Sequence, residues 1–225
     1  MATNKTQQGG NHTEQGAAVQ ETFIEKYKNQ LIIGFVALVV IVGGAFAYRQ
    51  YVYKPREAKA SEALYKSEQL FARGEYDKAL NGDGKEVGGF LQVIDEFGST
   101  SAGNLAELYA GQCFAQLGKY DEAVKHLEKY DLADDALVSP AAVGLLGDCY
   151  AQLNQLDKAT AALLKAAKMA DNNTLSPSFL VKAGVIFESQ GNKEKALECY
   201  KTIKEKYVRS MQYGTIDKYI ERVSK

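Results

Sequence analysis

Residues 111–123 read GQCFAQLGKYDEA, a glycine and an alanine twelve positions apart around a Gly-Lys-Tyr-Asp turn, and the phrase recurs along the chain. Gly118-Lys119-Tyr120-Asp121-Glu122-Ala123 is preceded by Gly74-Glu75-Tyr76-Asp77-Lys78-Ala79. It is followed by Asn154-Gln155-Leu156-Asp157-Lys158-Ala159 and by Gly191-Asn192-Lys193-Glu194-Lys195-Ala196, the closing alanines lying 44, 36 and 37 residues apart. Twelve residues ahead of each alanine stands a second small residue, giving the pairs Ser67 with Ala79, Gly111 with Ala123, Gly147 with Ala159 and Gly184 with Ala196. Two small residues so spaced suit a helical hairpin, because each lets the facing helix approach closely. These eight are the expected repeat-packing positions. Larger side chains fill the gaps: Tyr109, Phe114, Leu117 and Leu127 in the second unit, Leu146, Tyr150, Leu153 and Leu163 in the third, Phe187 and Tyr200 in the fourth.

Helix–turn–helix units repeating at this interval resemble the tetratricopeptide repeat (TPR). The resemblance implies an all-α fold, a TPR-type superhelix of about four hairpins. The expected organisation is a disordered polar tail over 1–18, an amphipathic lead-in helix over 19–30, a transmembrane helix over 31–53, the repeat domain over 54–207 and a capping helix over 208–225. The family's usual Trp is absent, Ser99-Thr100 replaces the closing Pro of the first unit, and Asn81-Gly82-Asp83-Gly84-Lys85 is a flexible insertion that should interrupt that unit's second helix. Met211, Ile216, Tyr219, Ile220 and Val223 mark an amphipathic last helix that caps the array.

Ahead of the repeats, residues 31–47 read LIIGFVALVVIVGGAFA, without a charge. At about 1.5 Å per residue, with Tyr48 included, the run makes roughly 27 Å of helix, close to one hydrocarbon thickness. Its eleven Leu, Ile, Phe and Val residues contribute on the order of −3 to −7 kcal/mol to insertion. Phe23 and Tyr27 before it and Tyr48, Tyr51 and Tyr53 after it sit where interfacial aromatic belts form. Ala45-Phe46-Ala47 has the form of a signal cleavage site, but some thirty polar residues precede the run where a secretory signal has a short basic region. An uncleaved single-pass anchor is the expectation. Arg49, Lys54, Arg56 and Lys59 after the span outnumber Lys26 and Lys28 before it, which taken alone places the repeats in the cytoplasm. Gly43 and Ala47 form a small-xxx-small pair, a weak signal for helix association.

The 225 residues carry 27 basic and 28 acidic side chains, a net charge of −1, so there is no basic field to hold nucleic acid. Mean hydropathy is −0.29, an average over a polar tail, a span and a repeat array. No enzymatic constellation emerges. A histidine-based triad would rest on His126 alone, expected on an outer surface, since His12 sits in the tail. Asp83 stands alone between its glycines, without the bidentate Glu of a calcium loop, and no phosphate-binding glycine loop is present. Cys113 and Cys149 occupy equivalent places about one helix-pair apart, too far for a disulfide, and with Cys199 read as small buried residues. No cofactor, metal or small-molecule substrate is expected.

The surface left for function is the inner face of the superhelix. By repeat register it includes Leu64 and Glu68, Leu108 and Gln112, Gly144 and Asp148, and Val181, Val185 and Glu188. This mixture of apolar and acidic groups suits extended or helical protein segments. The Lys, Arg and Asn that line the carboxylate clamps of chaperone-binding TPR domains are missing. A solvated groove, with contacts through the convex face or the cap, is the alternative.

The whole layout resembles the YfgM-like ancillary subunits of the secretion channel. The resemblance lies in Phe23-Ile24-Glu25-Lys26-Tyr27-Lys28-Asn29-Gln30 entering the span, Tyr48-Arg49-Gln50-Tyr51 leaving it, and Ala58, Ser61, Ala63 and Tyr65 opening the first repeat helix. It implies a bacterial inner-membrane protein with a cytoplasmic N-terminus and a periplasmic repeat domain, against the local charge count. The partners it implies are the Sec translocon SecYEG, a PpiD-like periplasmic prolyl isomerase or chaperone, and client polypeptides as they emerge. A cytosol-facing receptor or envelope-assembly adaptor, and an enzyme with an unrecognised site, are the two other classes.

Overall fold

The computed structural model describes the backbone of residues 14–225 and side chains from Tyr27 onward. The polar tail ahead of Glu14, with His12, and the side chains Val19 and Phe23 of the lead-in helix lie outside the described residues. The chain divides into two units, residues 1–55 and 56–225.

The first unit is helical. Helix α1 spans Glu14–Tyr48, so residues 14–18 are helical where their composition suggested disorder. From Leu31 to Ala47 every residue is exposed. A π-helical turn, Arg49–Tyr53, follows. The cause lies just beyond it: Pro55 has no N–H, and its ring would collide with the carbonyl four residues back in a regular α-helix. A widened turn accommodates both defects. Lys54 Nζ donates to Gln50 Oε1 at 2.9 Å across the turn.

The second unit is an array of helical hairpins. Its elements are α2 (Lys54–Ala72), α3 (Tyr76–Asn81), α4 (Gly89–Phe97), α5 (Ser101–Gln116), α6 (Tyr120–Lys129), α7 (Val138–Gln152), α8 (Leu156–Ala170), α9 (Ser176–Ser189), α10 (Lys193–Lys206), a 3-10 turn (Met211–Gly214) and α11 (Ile216–Ser224). The pairs α5/α6, α7/α8 and α9/α10 are the second to fourth repeats. In the first, the second helix is broken into α3 and α4.

One contact recurs in the three regular hairpins. A Cβ added at Gly111 would lie 2.6 Å from Leu127 Cγ, at Gly147 2.8 Å from Leu163 Cγ, and at Gly184 2.4 Å from Tyr200 Cε1. Each large partner stands four residues after the alanine of its second helix, one helical turn on. Ala79, Ala123, Ala159 and Ala196 are wholly buried, as is Ser67. There is no room for a methyl group at the glycines, so the two helices meet backbone to side chain.

The hairpin turns are equally uniform. Gly74, Gly118, Asn154 and Gly191 take left-handed backbone angles, with φ of 75°, 72°, 57° and 75°. The N–H of the next residue returns to the carbonyl five back: Glu75 to Leu70 at 3.0 Å, Lys119 to Phe114 at 2.9 Å, Gln155 to Tyr150 and Asn192 to Phe187 both at 2.8 Å. This Schellman closure stops each first helix and starts the reversal.

The insertion is not the flexible loop its composition suggested. The Asp83 carboxylate accepts from the N–H groups of Lys85, Glu86 and Val87 at 2.9, 3.0 and 3.0 Å, and Asp83 N–H donates to Val87 O at 3.0 Å. Its carboxyl is held below the ordinary carboxylate range by those donors. The closed loop returns the chain so that α4 delivers Phe90 and Val93 into the core, where Phe90 stacks on Tyr109 at 5.0 Å and Phe71 meets Tyr109 edge-on at 5.2 Å.

At the far end α11 covers the last hairpin with Ile216 and Val223, and Tyr219 packs on Tyr200 at 5.2 Å. Met211, expected on the apolar face of this helix, lies outside it in the 3-10 turn and is exposed. Its place in the heptad-like pattern is cut off because the helix begins only at Ile216.

The turn geometry makes a direct prediction. Gly118→Ala should lower stability by about 1 kcal/mol, because an L-residue with a Cβ resists the left-handed region. Gly118→Asn should lose less than half as much, since Asn154 already holds the equivalent place. Equal losses in urea unfolding of the two variants would contradict this origin.

Candidate protein-binding surface

The first helices of the units, α2, α5, α7 and α9, carry the residues assigned to the inner face, and the structure separates them into two rows. Leu64, Leu108 and Gly144, three residues before the small positions, are buried. They are corrected to buried packing positions; at Gly144 the neighbour is the next first helix, since a Cβ there would lie 2.2 Å from the ring of Phe179 on α9. Val181, the equivalent in the last unit, is half-buried. Glu68, Gln112 and Asp148, each one residue after the small position, are half-buried, and Val185 is exposed, at 44%. This second row is open to solvent.

The acids of the inner face are engaged by later elements. Glu68 hydrogen-bonds Tyr109 of the next first helix, and burial followed by the charge and hydrogen bond of Glu68 raises the Tyr109 hydroxyl pKa. Asp148 pairs with Lys182 on α9 at 2.6 Å. Glu188 accepts from Arg222 Nε at 2.8 Å and Nη2 at 2.7 Å and from the hydroxyl of Tyr200. Burial raises the Glu188 pKa, but the Arg222 and Tyr200 hydrogen bonds outweigh it and the net direction is down. Glu188 is thus held by the cap, and its expected place as an open contact is corrected to a tie between repeat and cap.

Two side chains take places the sequence did not suggest. His126, expected on an outer surface, has only 17% of its side chain exposed; its Nδ1 lies 2.5 Å from Glu107 Oε2 and its ring stacks on Phe114 at 5.2 Å. Tyr150 donates to Glu128, and burial followed by that hydrogen bond pushes its hydroxyl up to about 12. Helical spacing alone places neither pair, since each joins residues from different helices. Cys113, Cys149 and Cys199 are buried and unbridged. Burial pushes the Cys113 thiol up to about 12 and the other two to about 11, so none supplies a thiolate near neutrality. Among the described residues no three His, Cys, Asp or Glu side chains gather as a metal site.

The opposite side carries two hollows at equivalent repeat positions. One of about 200 Å³ is lined by Leu164, Leu180, Phe187 and Cys199, the other of about 320 Å³ by Glu128, Val143, Ala162 and Lys165.

An array of helical hairpins with an open row along its first helices defines a helical-repeat scaffold, a class built to present surface to other chains. The match to a family model, described as a tetratricopeptide repeat-like domain, runs from residue 21 to 212, and the chain belongs to that family. Among solved structures it is similar to the MamA protein, at 19% identity and a TM-score of 0.54, covering 73% of this chain and 89% of that one. It is also similar to TPR-like repeats of a Podosopora anserina kinesin light chain, at 12% identity and a TM-score of 0.56, covering 74% of this chain and 85% of that one. These likenesses show the fold. No curated protein matches the sequence significantly.

One loop carboxylate gives a pH prediction. Asp135 caps α7, accepting from the N–H groups of Leu137, Val138 and Ser139. Hydrogen bonds from Ser139 and then Leu137 hold its pKa at about 2, below the usual 3.8. A depressed folded-state pKa stabilises above the unfolded value and is lost as pH falls through the folded one. The melting temperature of the protein should therefore drop between about pH 4 and pH 2, and Asp135→Ala should remove part of that drop while lowering the melting temperature at neutral pH. An unchanged acid limb in the variant would contradict the assignment.

Proposed function

We propose that the chain is a membrane-anchored TPR scaffold of the YfgM-like type, an accessory of the secretion channel. Its partners are the Sec translocon SecYEG, a PpiD-like prolyl isomerase or chaperone, and client segments as they emerge. The observation that carries this reading is one of order: an apolar run whose described side chains are all exposed precedes a hairpin array, and the family match begins at residue 21, ahead of that run. The helix is long and apolar enough to cross a membrane, its apolar window of 18 residues having a mean hydropathy of 2.6. The topology is a single pass in the bacterial inner membrane, with the N-terminus cytoplasmic and the repeat domain periplasmic.

The binding surface is the open row of Glu68, Gln112, Asp148 and Val185, with Val181 beside it and Tyr65, itself exposed, on α2. Its acids already have intramolecular partners, so recognition rests on exposed apolar patches and amide groups, and single contacts are weak. The anchor compensates: confining the array near the channel raises the effective concentration of any segment leaving it. The repeat fold is typical of non-enzymatic protein-interaction scaffolds.

Photo-crosslinking from Gln112 or Val185 in native membranes should yield adducts with channel subunits and emerging polypeptides, and residue Leu164 on the opposite side should not. Adducts from Leu164 alone would contradict the inner-face assignment. The basic residues Arg49, Lys54, Arg56 and Lys59 favour a second reading, a cytosol-facing receptor or adaptor. Protease treatment of spheroplasts should digest the repeat domain, whereas its protection would establish that second reading.

A further inference from the structure

We propose that the edge of the repeat domain formed by its inter-repeat loops is a lipid-contacting surface lying in the headgroup layer of a phospholipid bilayer. This rests on reading the apolar helix as a membrane anchor. The loops form one row, fixed by hydrogen bonds from loop to loop. The Glu57 carboxylate accepts from the N–H groups of Ser101 and Ala102 at 2.8 and 2.9 Å. Asn104 brackets Asp131, donating to its carbonyl at 3.0 Å and accepting from its N–H at 2.7 Å. Asn172 Nδ2 donates to Ala136 O at 3.1 Å, and Arg209 N–H donates to Asn173 Oδ1 at 3.2 Å. The row therefore starts at Arg56-Glu57, where the chain enters the domain, and runs to the last loop before α11.

This edge is unusually apolar for loops. Leu132, Leu137, Val138, Val208 and Met211 stand exposed along it, Leu137 by 61% and Met211 by 93%. The turns at the other edge are Gly74-Glu75, Gly118-Lys119, Asn154-Gln155 and Gly191-Asn192, polar in every unit. Leu117, at 36%, is the exposed large apolar residue beside those turns, and a concentration of such side chains along one edge marks a contact surface. Its occupant follows from chain length. Eight residues separate Ala47, the last of the apolar run, from Arg56. Even fully extended they reach about 30 Å, so the start of the row cannot leave the bilayer surface by more than that, however the two units are arranged.

The charges on the edge are compatible with headgroups. Asp135 is satisfied by three backbone N–H groups, and Asp171 by Lys206 at 2.6 Å and by the Tyr207 hydroxyl at 3.0 Å. Asp131 and Asp134, exposed on the loop between α6 and α7, limit the depth, since carboxylates do not enter hydrocarbon. Leu, Val and Met at the level of the headgroups gain apolar burial without crossing into the core.

The protein contains no tryptophan, so a single introduced one reports alone. Full-length Leu137→Trp, Met211→Trp, Leu117→Trp and Phe46→Trp are reconstituted in phosphatidylcholine vesicles with and without bromine near the headgroup end of the acyl chains. Leu137→Trp and Met211→Trp should lose roughly half their emission to the brominated lipid and shift to the blue. Leu117→Trp, at the opposite edge, should be unaffected, and Phe46→Trp should be quenched as a reporter of the span. Quenching at Phe46→Trp without quenching at either edge position would overturn the lipid contact and leave the anchor standing. Equal quenching at Leu117→Trp would also overturn it. No quenching at Phe46→Trp would sink the anchor and this proposal together.

Discussion

The array depends on one contact: the bare Cα of a glycine on the first helix of each regular hairpin set against a Leu or Tyr side chain on the second. Gly111 under Leu127, Gly147 under Leu163 and Gly184 under Tyr200 bring the helices closer than any other residue would permit. Everything else in the hairpin is arranged by that approach. The second-helix alanine is wholly buried one turn before the large residue, and the left-handed turn residue reverses the chain at the length that puts the two in register. Stacking follows, because three similar hairpins present similar faces.

Once the hairpins are stacked, their polar groups serve mainly to fix one repeat to the next. Glu68 with Tyr109, Asp148 with Lys182 and Glu188 with Arg222 each span a unit boundary or the junction with the cap. Such exposed and half-exposed pairs contribute modestly to stability, but they remove carboxylates from the inner surface as independent ligands. What is left there is a row of amide and apolar groups. This is a surface for protein segments held nearby by other means, and the apolar helix ahead of the array provides such means in the proposed function.

Much of this was legible in the sequence, for a physical reason. Close backbone approach admits few residue types, so the Gly-and-Ala spacing is written plainly at 111 and 123, 147 and 159, 184 and 196. The left-handed turn likewise admits mainly Gly or Asn, and the interrupted second helix of the first unit is announced by Gly82 and Gly84. The inner surface was less legible. Leu64, Leu108 and Gly144 are buried rather than open, and at Gly144 the covering side chain is Phe179 of the next first helix, a long-range contact that helical periodicity does not contain. His126 was missed for the same reason: its partner Glu107 comes from another helix. The tightness of the 82–88 loop depends on one carboxylate reaching three backbone donors, which composition describes only as Gly-rich.

The central contact can be measured by a double-mutant cycle in urea unfolding of the full chain. Gly111→Ala alone should destabilise by about 1–3 kcal/mol through overpacking, and Leu127→Ala alone by about 2–5 kcal/mol through the cavity it leaves. Combined, the new methyl group occupies space the leucine vacated, so the double variant should be more stable than the sum of the two losses by about 1 kcal/mol or more. Losses that simply add, within about 0.5 kcal/mol, would show that the glycine does not meet the leucine and would contradict this account of how the array is built.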